Sequence, residues 1–219
     1  MGKSDKIGLV LATYGSLPHC HLGLESFRCY CTGQFCLLHD DCSEQSIDLL
    51  NLANDYGVDF QTTNNRLGHG AGDACAICSG LIWAANHNLT WLIKCSRRFI
   101  PVFHYYLEEN SKINTYATRD NYWGLQFSTE FFYMRVSYWL QKIPLLRNFI
   151  DKQPTDYFLE HLLEKEPFTR IDWKIENRSE HSYNYYWHNF SGIKDYFKLS
   201  TYWFDNLYAE KDFCGVVEN

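Results

Sequence analysis

Short apolar runs alternate with helix-like stripes through the first hundred residues. The run over 7–13 (IGLVLAT) has no polar interruption, which is the pattern of a strand buried on both faces. The predicted strands cover 7–13, 34–38, 58–62 and 91–95, and the predicted helices cover 19–31, 44–56 and 74–86. Strands that alternate with helices at this spacing form parallel βαβ units, so the sequence predicts a doubly wound α/β sheet.

The pattern changes in the second half of the chain. Its predicted elements are strands over 113–118 and 127–136, helices over 155–165 and 200–211, and an aromatic, strand-like segment over 171–190. No linker rich in proline, glycine and serine separates the halves, so we expect 1–219 to be a single domain with halves 1–101 and 102–219.

Composition narrows the class of protein. With 46% hydrophobic and 21% charged residues the chain is globular, and a formal net charge of −6 argues against nucleic-acid binding. Nine cysteines without a framework-like spacing indicate reduced thiols. We expect no signal peptide, because residues 1–6 (MGKSDK) are mostly polar and lead straight into the first strand, and no run approaches the ~18 apolar residues of a membrane span. We therefore expect a cytoplasmic protein.

The fourth predicted strand ends in a cluster of cations. In WLIKCSRRFIP (91–101) the apolar run gives way to Lys94, Ser96, Arg97 and Arg98. Ligands of open α/β sheets bind at the carboxyl ends of the strands, so three cations within five residues predict an anion site. The alternatives are a solvated basic strand end or an arginine paired with a carboxylate.

Four segments, taken in order, resemble the family 2 glycosyltransferases of the GT-A fold. They are LVLATYG (9–15) at the first strand, LESF (24–27) in the next helix, DDCS (40–43) for the family's DDgS signature, and NRLG (65–68) before a small-residue helix. Gly15 stands where asparagine is usual, and Cys42 where glycine is. The resemblance implies a Rossmann-like, mostly parallel central sheet flanked by helices, with an aromatic-rich C-terminal part.

The resemblance also implies an activity. A transferase of this kind moves a sugar from a nucleoside diphosphate sugar to a hydroxyl acceptor, in glycan or polysaccharide biosynthesis. Residues 1–101 would bind the nucleotide and 102–219 the acceptor, a glycan or a small hydroxyl compound. The residues expected to hold the nucleotide sugar are Ala12, Thr13, Tyr14, Asp40, Asp41, Arg66, Gly68, His69, Lys94, Arg97 and Arg98. Asp41 is favoured to accept a hydrogen bond from the base. The alternative for both aspartates is a helix-start carboxylate stabilised by the helix dipole.

One departure from the family bears on the chemistry. The family's fourth strand ends in Asp-x-Asp, which holds a divalent metal on the diphosphate, and here Ser96-Arg97-Arg98 occupies that place. These side chains do not bind a divalent cation, but arginine offers a charged fork for phosphate oxygens. We therefore expect metal-independent transfer without a cofactor. Dependence on a metal such as Mn²⁺ is the less favoured alternative.

Transfer with inversion needs a carboxylate that takes the acceptor's proton. The resemblance places an acid at the start of a late helix, where Asp156 follows a threonine in place of the family's glutamate. Glu130 and Glu160 are the other candidates, and an acid in the first helical turn is the structural alternative. The residues expected near the acceptor are Arg135, Trp187 and His188. An aromatic core or the patch of a homodimer is the alternative for the C-terminal aromatics.

Two further motifs do not point to other chemistry. The glycines of 68–72 follow the third strand, whereas a dinucleotide fingerprint follows the first. Cys75 and Cys78 lie in a small-residue helix, where buried cysteine packs as a small hydrophobe, so zinc is not favoured.

Two other functions stay open. One is a catalytically degenerate protein that binds a sugar nucleotide or a glycan, because loss of Asp-x-Asp is what such a protein would show. The other is a nucleotidyltransferase, which needs a basic, multi-glycine loop after the first strand that YGSLP (14–18) does not provide.

Overall fold

A computed structural model describes residues 6–15, 17–30, 35–96, 113–117, 127, 129, 131–152 and 159–170. The predicted segments 171–190 and 200–211 lie outside these residues, together with Trp187 and His188.

The described residues of the first half form four strands and three helices, as the sequence predicts. The elements are β1 Ile7–Thr13, α1 Leu17–Tyr30, β2 Phe35–Asp40, α2 Ser46–Tyr56, β3 Asp59–Thr62, α3 His69–Asn86 and β4 Trp91–Ser96. After them come β5 Thr115–Ala117, β6 Phe131–Arg135, α4 Val136–Trp139, a 3-10 turn Leu140–Lys142, α5 Ile143–Lys152, α6 Leu159–Leu163 and β7 Thr169–Arg170.

The strands form a seven-stranded sheet in the order β3-β2-β1-β4-β6-β5-β7. Neighbours pair in parallel except where β6 meets β4 and β5, so β6 runs against the other strands. This arrangement confirms the predicted mostly parallel α/β sheet.

The sheet has a topological switch point between β1 and β4. From β1 the chain builds outward through β2 to β3, and α3 then carries it back across to β4 on the other side of β1. The carboxyl ends of β1 and β4 lie side by side, with Ala12 opposite Ser96. In sheets of this type ligands bind in the crevice outside the carboxyl ends of the strands at that point, which is called the ligand edge below.

Both faces of the sheet are covered, which explains the unbroken apolar run of β1. Leu9 and Leu11 pack into the cluster that α1 and α2 complete, and Val10 packs into the one that α3 and α5 complete. Adjacent strand residues point to opposite faces, so a strand covered on both sides is apolar at every position.

Element boundaries depart from the sequence prediction in a few places. Gly57 ends α2 in the left-handed conformation, φ 64°, as expected of a helix stop. However, α2 begins at Ser46, because Ser43 bonds to Asp40 through its N–H and hydroxyl. Helix α3 begins at His69, five residues before the predicted start at 74.

Helix α5 was not predicted from the sequence. Its buried residues are Leu146 and Phe149, which share one face and belong to the cluster beside α3. Pro144 is its second residue and is tolerated there, because the N–H groups of a first helical turn have no partner within the helix.

Candidate functional site

Asp40 ties together the two loops that follow β1 and β2. Its buried carboxylate accepts hydrogen bonds from the Gly15 N–H at 3.1 Å, the Ser43 N–H at 2.8 Å and hydroxyl at 3.0 Å, and the Ser46 hydroxyl. These donors come from both loops, so Asp40 holds the carboxyl ends of β1 and β2 in a fixed relation. Its contacts are those of a structural carboxylate placed at the ligand edge of the sheet.

Asp41 organises the connection from β3 to α3. Its Oδ1 accepts from the Thr63 hydroxyl at 3.2 Å and the Leu67 N–H at 3.0 Å, and its Oδ2 accepts from the Gly68 N–H at 3.0 Å. The residue itself is buried, and its own N–H donates to the Thr13 carbonyl oxygen at 2.9 Å. The carboxylate therefore fixes the segment 63–68 through hydrogen bonds at both of its ends. This segment is called the β3–α3 loop from here on.

The residue after this aspartate adopts a conformation that fits the resemblance. Cys42 has φ 52°, in the left-handed region that favours glycine, and the family's DDgS signature has glycine at this place. Cys42 therefore stands in a backbone conformation that glycine adopts more readily.

Tyr14, which follows β1, and Arg66, in the β3–α3 loop, contact each other. The Arg66 guanidinium carbon lies 4.0 Å from the centroid of the exposed Tyr14 ring, close enough for a cation–π contact. Arg66 has no carboxylate partner among the described residues, so this arrangement offers a positive charge and an aromatic face to a ligand.

Lys94 lies in the interior. It is 0% exposed, and its Nζ donates to Asp73 Oδ1 at 2.7 Å and to the Thr129 carbonyl oxygen at 2.6 Å. Asp73 stands on α3 and remains 22% exposed. The sequence predicts that this ammonium helps to bind the diphosphate. In the structure Lys94 stands two residues before the end of β4, and its ammonium is paired with Asp73.

The structure does not bring Arg135 to the ligand edge. Because β6 is antiparallel to β4, Arg135 pairs with Trp91 at the amino end of β4, whereas Ser96 marks the carboxyl end. Its guanidinium stacks on Trp91 at 4.6 Å and donates to the Ile113 carbonyl oxygen at 3.1 Å. These contacts separate it from the other candidates for the site.

The remaining candidates divide into two groups. Ala12 and Thr13 end β1 and Gly68 precedes α3, all at the ligand edge. The side chain of His69 and the residues Arg97, Arg98, Glu130, Asp156, Trp187 and His188 lie outside the described part of the chain.

A cavity of about 350 Å³ beside the β3–α3 loop was not anticipated from the sequence. It is lined by His39, Gln61, Thr62, Thr63, Asn64, Asn65, Leu67, Cys75 and Ser79. Burial lowers the pKa of His39 and raises that of Cys75, so the cavity wall is uncharged near neutral pH. Amides clustered after a predicted strand are the sequence signal for this feature.

Sequence reasoning also missed the partners of Lys94. An acid, Asp73, stands in the otherwise small and apolar start of α3, and a lysine stands within an apolar strand. A charge that stands alone in an apolar element needs a partner, so a lysine and an acid in two such elements are candidates to pair with each other.

The thiols of the C-x-x-C motif are those of a packed helix. Burial raises the pKa of Cys78 to about 12 and also raises that of Cys75.

Within the described ranges no group of three or more histidine, cysteine, aspartate or glutamate side chains converges as a metal site. Ser96, which ends β4, and the two arginines after it in the sequence offer no carboxylate to a divalent cation. None of the described helices is long and apolar enough to cross a bilayer.

Comparison with known proteins identifies the fold. No protein-family model and no curated protein matches the chain. Among solved structures, a cytidylyltransferase from Leptospira borgpetersenii is similar over 98% of this chain and 99% of its own, with a TM-score of 0.55 and 10% identity.

The glycosyltransferase GlyE from Streptococcus pneumoniae is similar in two structures. One covers 96% of this chain and 64% of GlyE with a TM-score of 0.58 and 9% identity. The other, its apo form, covers 78% and 46% with a TM-score of 0.50 and 11% identity. The chain therefore spans about half to two thirds of the GlyE chains and nearly all of the cytidylyltransferase. It has a glycosyltransferase-like α/β fold, which a cytidylyltransferase also shares.

Proposed function

We propose that the protein is a glycosyltransferase of the GT-A type, which moves a sugar from a nucleoside diphosphate sugar to a hydroxyl acceptor. One observation carries the proposal. The two loops that Asp40 and Asp41 hold, with Arg66 stacked on Tyr14, adjoin the switch point where β4 ends in Ser96. A polar, cationic edge at a switch point suits an elongated, anionic nucleotide.

The two ends of this edge suit different parts of a donor. The ends of β3 and β4 are three strand spacings apart, roughly 14 Å. The β3–α3 loop with Arg66 and Tyr14 would bind the nucleoside, and Arg97 and Arg98, directly after β4, would bind the diphosphate. Arginine forks at that place would stabilise the negative charge that grows on the leaving diphosphate.

Direct displacement by the acceptor hydroxyl would invert the anomeric centre. The C–O bond to the diphosphate breaks as the acceptor oxygen attacks from the opposite face, and a carboxylate takes the acceptor's proton. The sequence offers three carboxylates for this step, Asp156, Glu130 and Glu160, and favours Asp156. No metal is needed in this scheme, because the arginines supply the positive charge.

A donor panel tests the proposal. UDP-, GDP-, dTDP- and CMP-sugars are screened for a rise in melting temperature and for release of free nucleotide with glycan or small hydroxyl acceptors, in EDTA and in Mn²⁺. We expect one donor class to stabilise the protein and to be turned over in EDTA. Activity that disappears in EDTA and returns with Mn²⁺ would contradict metal independence.

Site variants sharpen the same experiment. Arg66→Ala and the double variant Arg97→Ala/Arg98→Ala should weaken donor binding, whereas Lys152→Ala, an exposed change in the last turn of α5, should not. If the wild type and all three variants bound the donor equally well, the donor site would lie elsewhere.

The panel also separates the two other functions. A degenerate binder would show the rise in melting temperature without turnover. A nucleotidyltransferase would release pyrophosphate from a nucleoside triphosphate and a sugar phosphate. Only residues 14–16 connect β1 to α1, which is a short connection for wrapping a triphosphate. We therefore favour glycosyl transfer, with a cytoplasmic location and a homodimer as further expectations.

A further inference from the structure

Thr129 links two charged groups that are far apart in sequence. Its carbonyl oxygen accepts from Lys94 Nζ at 2.6 Å, and its hydroxyl donates to Glu160 Oε1. Lys94 in turn pairs with Asp73 of α3 at 2.7 Å. Elements β4, α3, α6 and the approach to β6 are therefore joined through one chain of polar contacts, called the Thr129 network below.

The Thr129 network lies at the ligand edge of the sheet. Strand β6 begins opposite the end of β4, with Phe131 paired to Cys95, so position 129 lies beyond the carboxyl end of β4 near Ser96. The arginines proposed to hold the diphosphate follow Ser96 directly. Glu160, which bonds to Thr129, is thus held at the carboxyl end of β4, the edge proposed above to bind the donor.

The surroundings of Glu160 suit a group that exchanges a proton. Burial raises the pKa of this half-buried carboxyl, and the hydrogen bond from Thr129 opposes the rise. Among the described residues the charged groups that act on it are Asp73 on α3, which raises the pKa, and Lys94 on β4, which lowers it. A carboxyl whose pKa is shifted by burial and by specific charged neighbours is a candidate for a catalytic acid or base.

The neighbouring acids are placed differently. Glu164 pairs with His161 of its own turn at 3.1 Å. Glu166 accepts from Lys142 at 2.9 Å and from the Tyr138 hydroxyl at 2.7 Å, on the side of α4 and the 3-10 turn. Neither joins the Thr129 network, so Glu160 is distinguished from them by its contacts and not only by its charge.

We propose that Glu160 is the carboxylate that takes the proton of the acceptor hydroxyl. This assignment rests on the function proposed above. As the acceptor oxygen bonds to the anomeric carbon, its proton moves to Glu160, and the carbon–oxygen bond to the diphosphate breaks with its electron pair left on the diphosphate. Thr129 is a positioning residue in this scheme, because it acts through Glu160.

The test compares kcat and KM for nucleotide release as a function of pH. Glu160→Gln should lower kcat roughly 10²- to 10⁴-fold, the usual contribution of a general base, with little change in the donor KM. Thr129→Val removes the hydroxyl that stabilises the carboxylate and keeps the side-chain shape. It should therefore move the acid limb of the kcat/KM profile to higher pH, and Thr129→Ser should restore that limb.

A matched control comes from the same turn of the chain. Glu164→Gln removes an acid outside the Thr129 network and should leave kcat and the pH profile unchanged. Circular dichroism and melting temperature check that each variant is folded, and Glu160→Asp, which keeps the carboxylate, replaces Glu160→Gln if that variant does not fold. Its retained acid limb, displaced in pH, would support the assignment, and an unchanged kcat and profile would overturn it.

The outcomes separate this assignment from the proposed function. If the wild-type protein and Glu164→Gln release no nucleotide from any donor, the proposed function fails and the assignment fails with it. If both are active and Glu160→Gln keeps its kcat within about threefold of theirs, well short of a general-base effect, the assignment to Glu160 alone is overturned.

Discussion

Gly72 lies directly against the carboxylate of Asp41. A Cβ placed at position 72 would be 2.7 Å from Asp41 Oδ2, and Oδ2 also accepts from the Gly68 N–H. Glycine near the start of α3 therefore leaves the room that Asp41 needs to hold the β3–α3 loop.

Gly72→Ala should destabilise the protein. The added methyl displaces the carboxylate and its hydrogen bonds, which is expected to lower the free energy of unfolding by about 1–3 kcal/mol, the usual cost of overpacking. Gly70→Ala is the matched control, because its Cβ would meet Phe149 at 3.4 Å, an ordinary contact. Better helix propensity should make that variant neutral or more stable by up to about 1 kcal/mol. Urea denaturation measures both, and equal effects would contradict the close contact at Gly72.

Asp40→Asn should be costly for folding as well as for binding. An amide offers one acceptor oxygen and sets an NH₂ group against donors that now reach Asp40 from Gly15, Ser43 and Ser46. We expect the free energy of unfolding to fall by about 2–4 kcal/mol. Glu44→Gln, an exposed change in the same loop, should stay within about 0.5 kcal/mol. A nearly unaffected Asp40→Asn variant would show that the carboxylate is not structural.

The pair of the buried Lys94 with the partly exposed Asp73 should show strong coupling. Lys94→Met leaves Asp73 without its cation and is expected to cost about 3 kcal/mol, whereas the double variant Lys94→Met/Asp73→Asn should recover part of that loss. The pair of Lys142 and Glu166 provides the comparison cycle, because its lysine is 29% exposed whereas Lys94 is fully buried, and we expect its coupling to be weaker. Thermal or urea unfolding of both cycles gives the coupling energies. Equal couplings would contradict the burial of Lys94.

His39 should make stability depend on pH. Burial lowers the pKa of this imidazole in the folded protein, so the unfolded chain binds a proton at a higher pH than the folded one does. Above the His39 pKa of the unfolded chain, about 6.5, the imidazole is neutral in both states and the fold has its full stability. Stability falls as the pH drops from there toward the lower pKa of His39 in the folded protein. His39→Gln should flatten this part of the profile. Parallel curves for wild type and variant between about pH 5 and 8 would contradict the shift.

The sequence predicts the first half of the fold well, because its elements have local causes. The run 7–13 and the helix stop at Gly57 follow from side-chain periodicity and from backbone conformation alone. Helix α5 instead depends on tertiary contacts, because Leu146 and Phe149 are buried only where α3 packs beside them. The start of α2 likewise depends on Asp40, which takes Ser43 out of the helix.

The places of Asp40 and Asp41 in the sheet could be predicted from the sequence, whereas their contacts could not. Strand ends place Asp40 and Asp41 at the ligand edge, yet their oxygens are used by N–H groups as far as 27 residues along the chain. Lys94 illustrates the same division. Strand alternation puts it on the face of Leu92, which is covered by α3, so its direction follows from the sequence while its partner Asp73 does not.

The hold of Asp41 on the β3–α3 loop has a consequence for ligand association. Fixing the backbone of a residue costs about 1–2 kcal/mol in conformational entropy, and here that ordering is completed when the chain folds. A ligand that reaches this loop meets hydrogen-bonding groups that are already oriented. Its affinity is then not reduced by loop ordering, and its association rate is set by diffusion and by attraction to Arg66 instead of by loop closure.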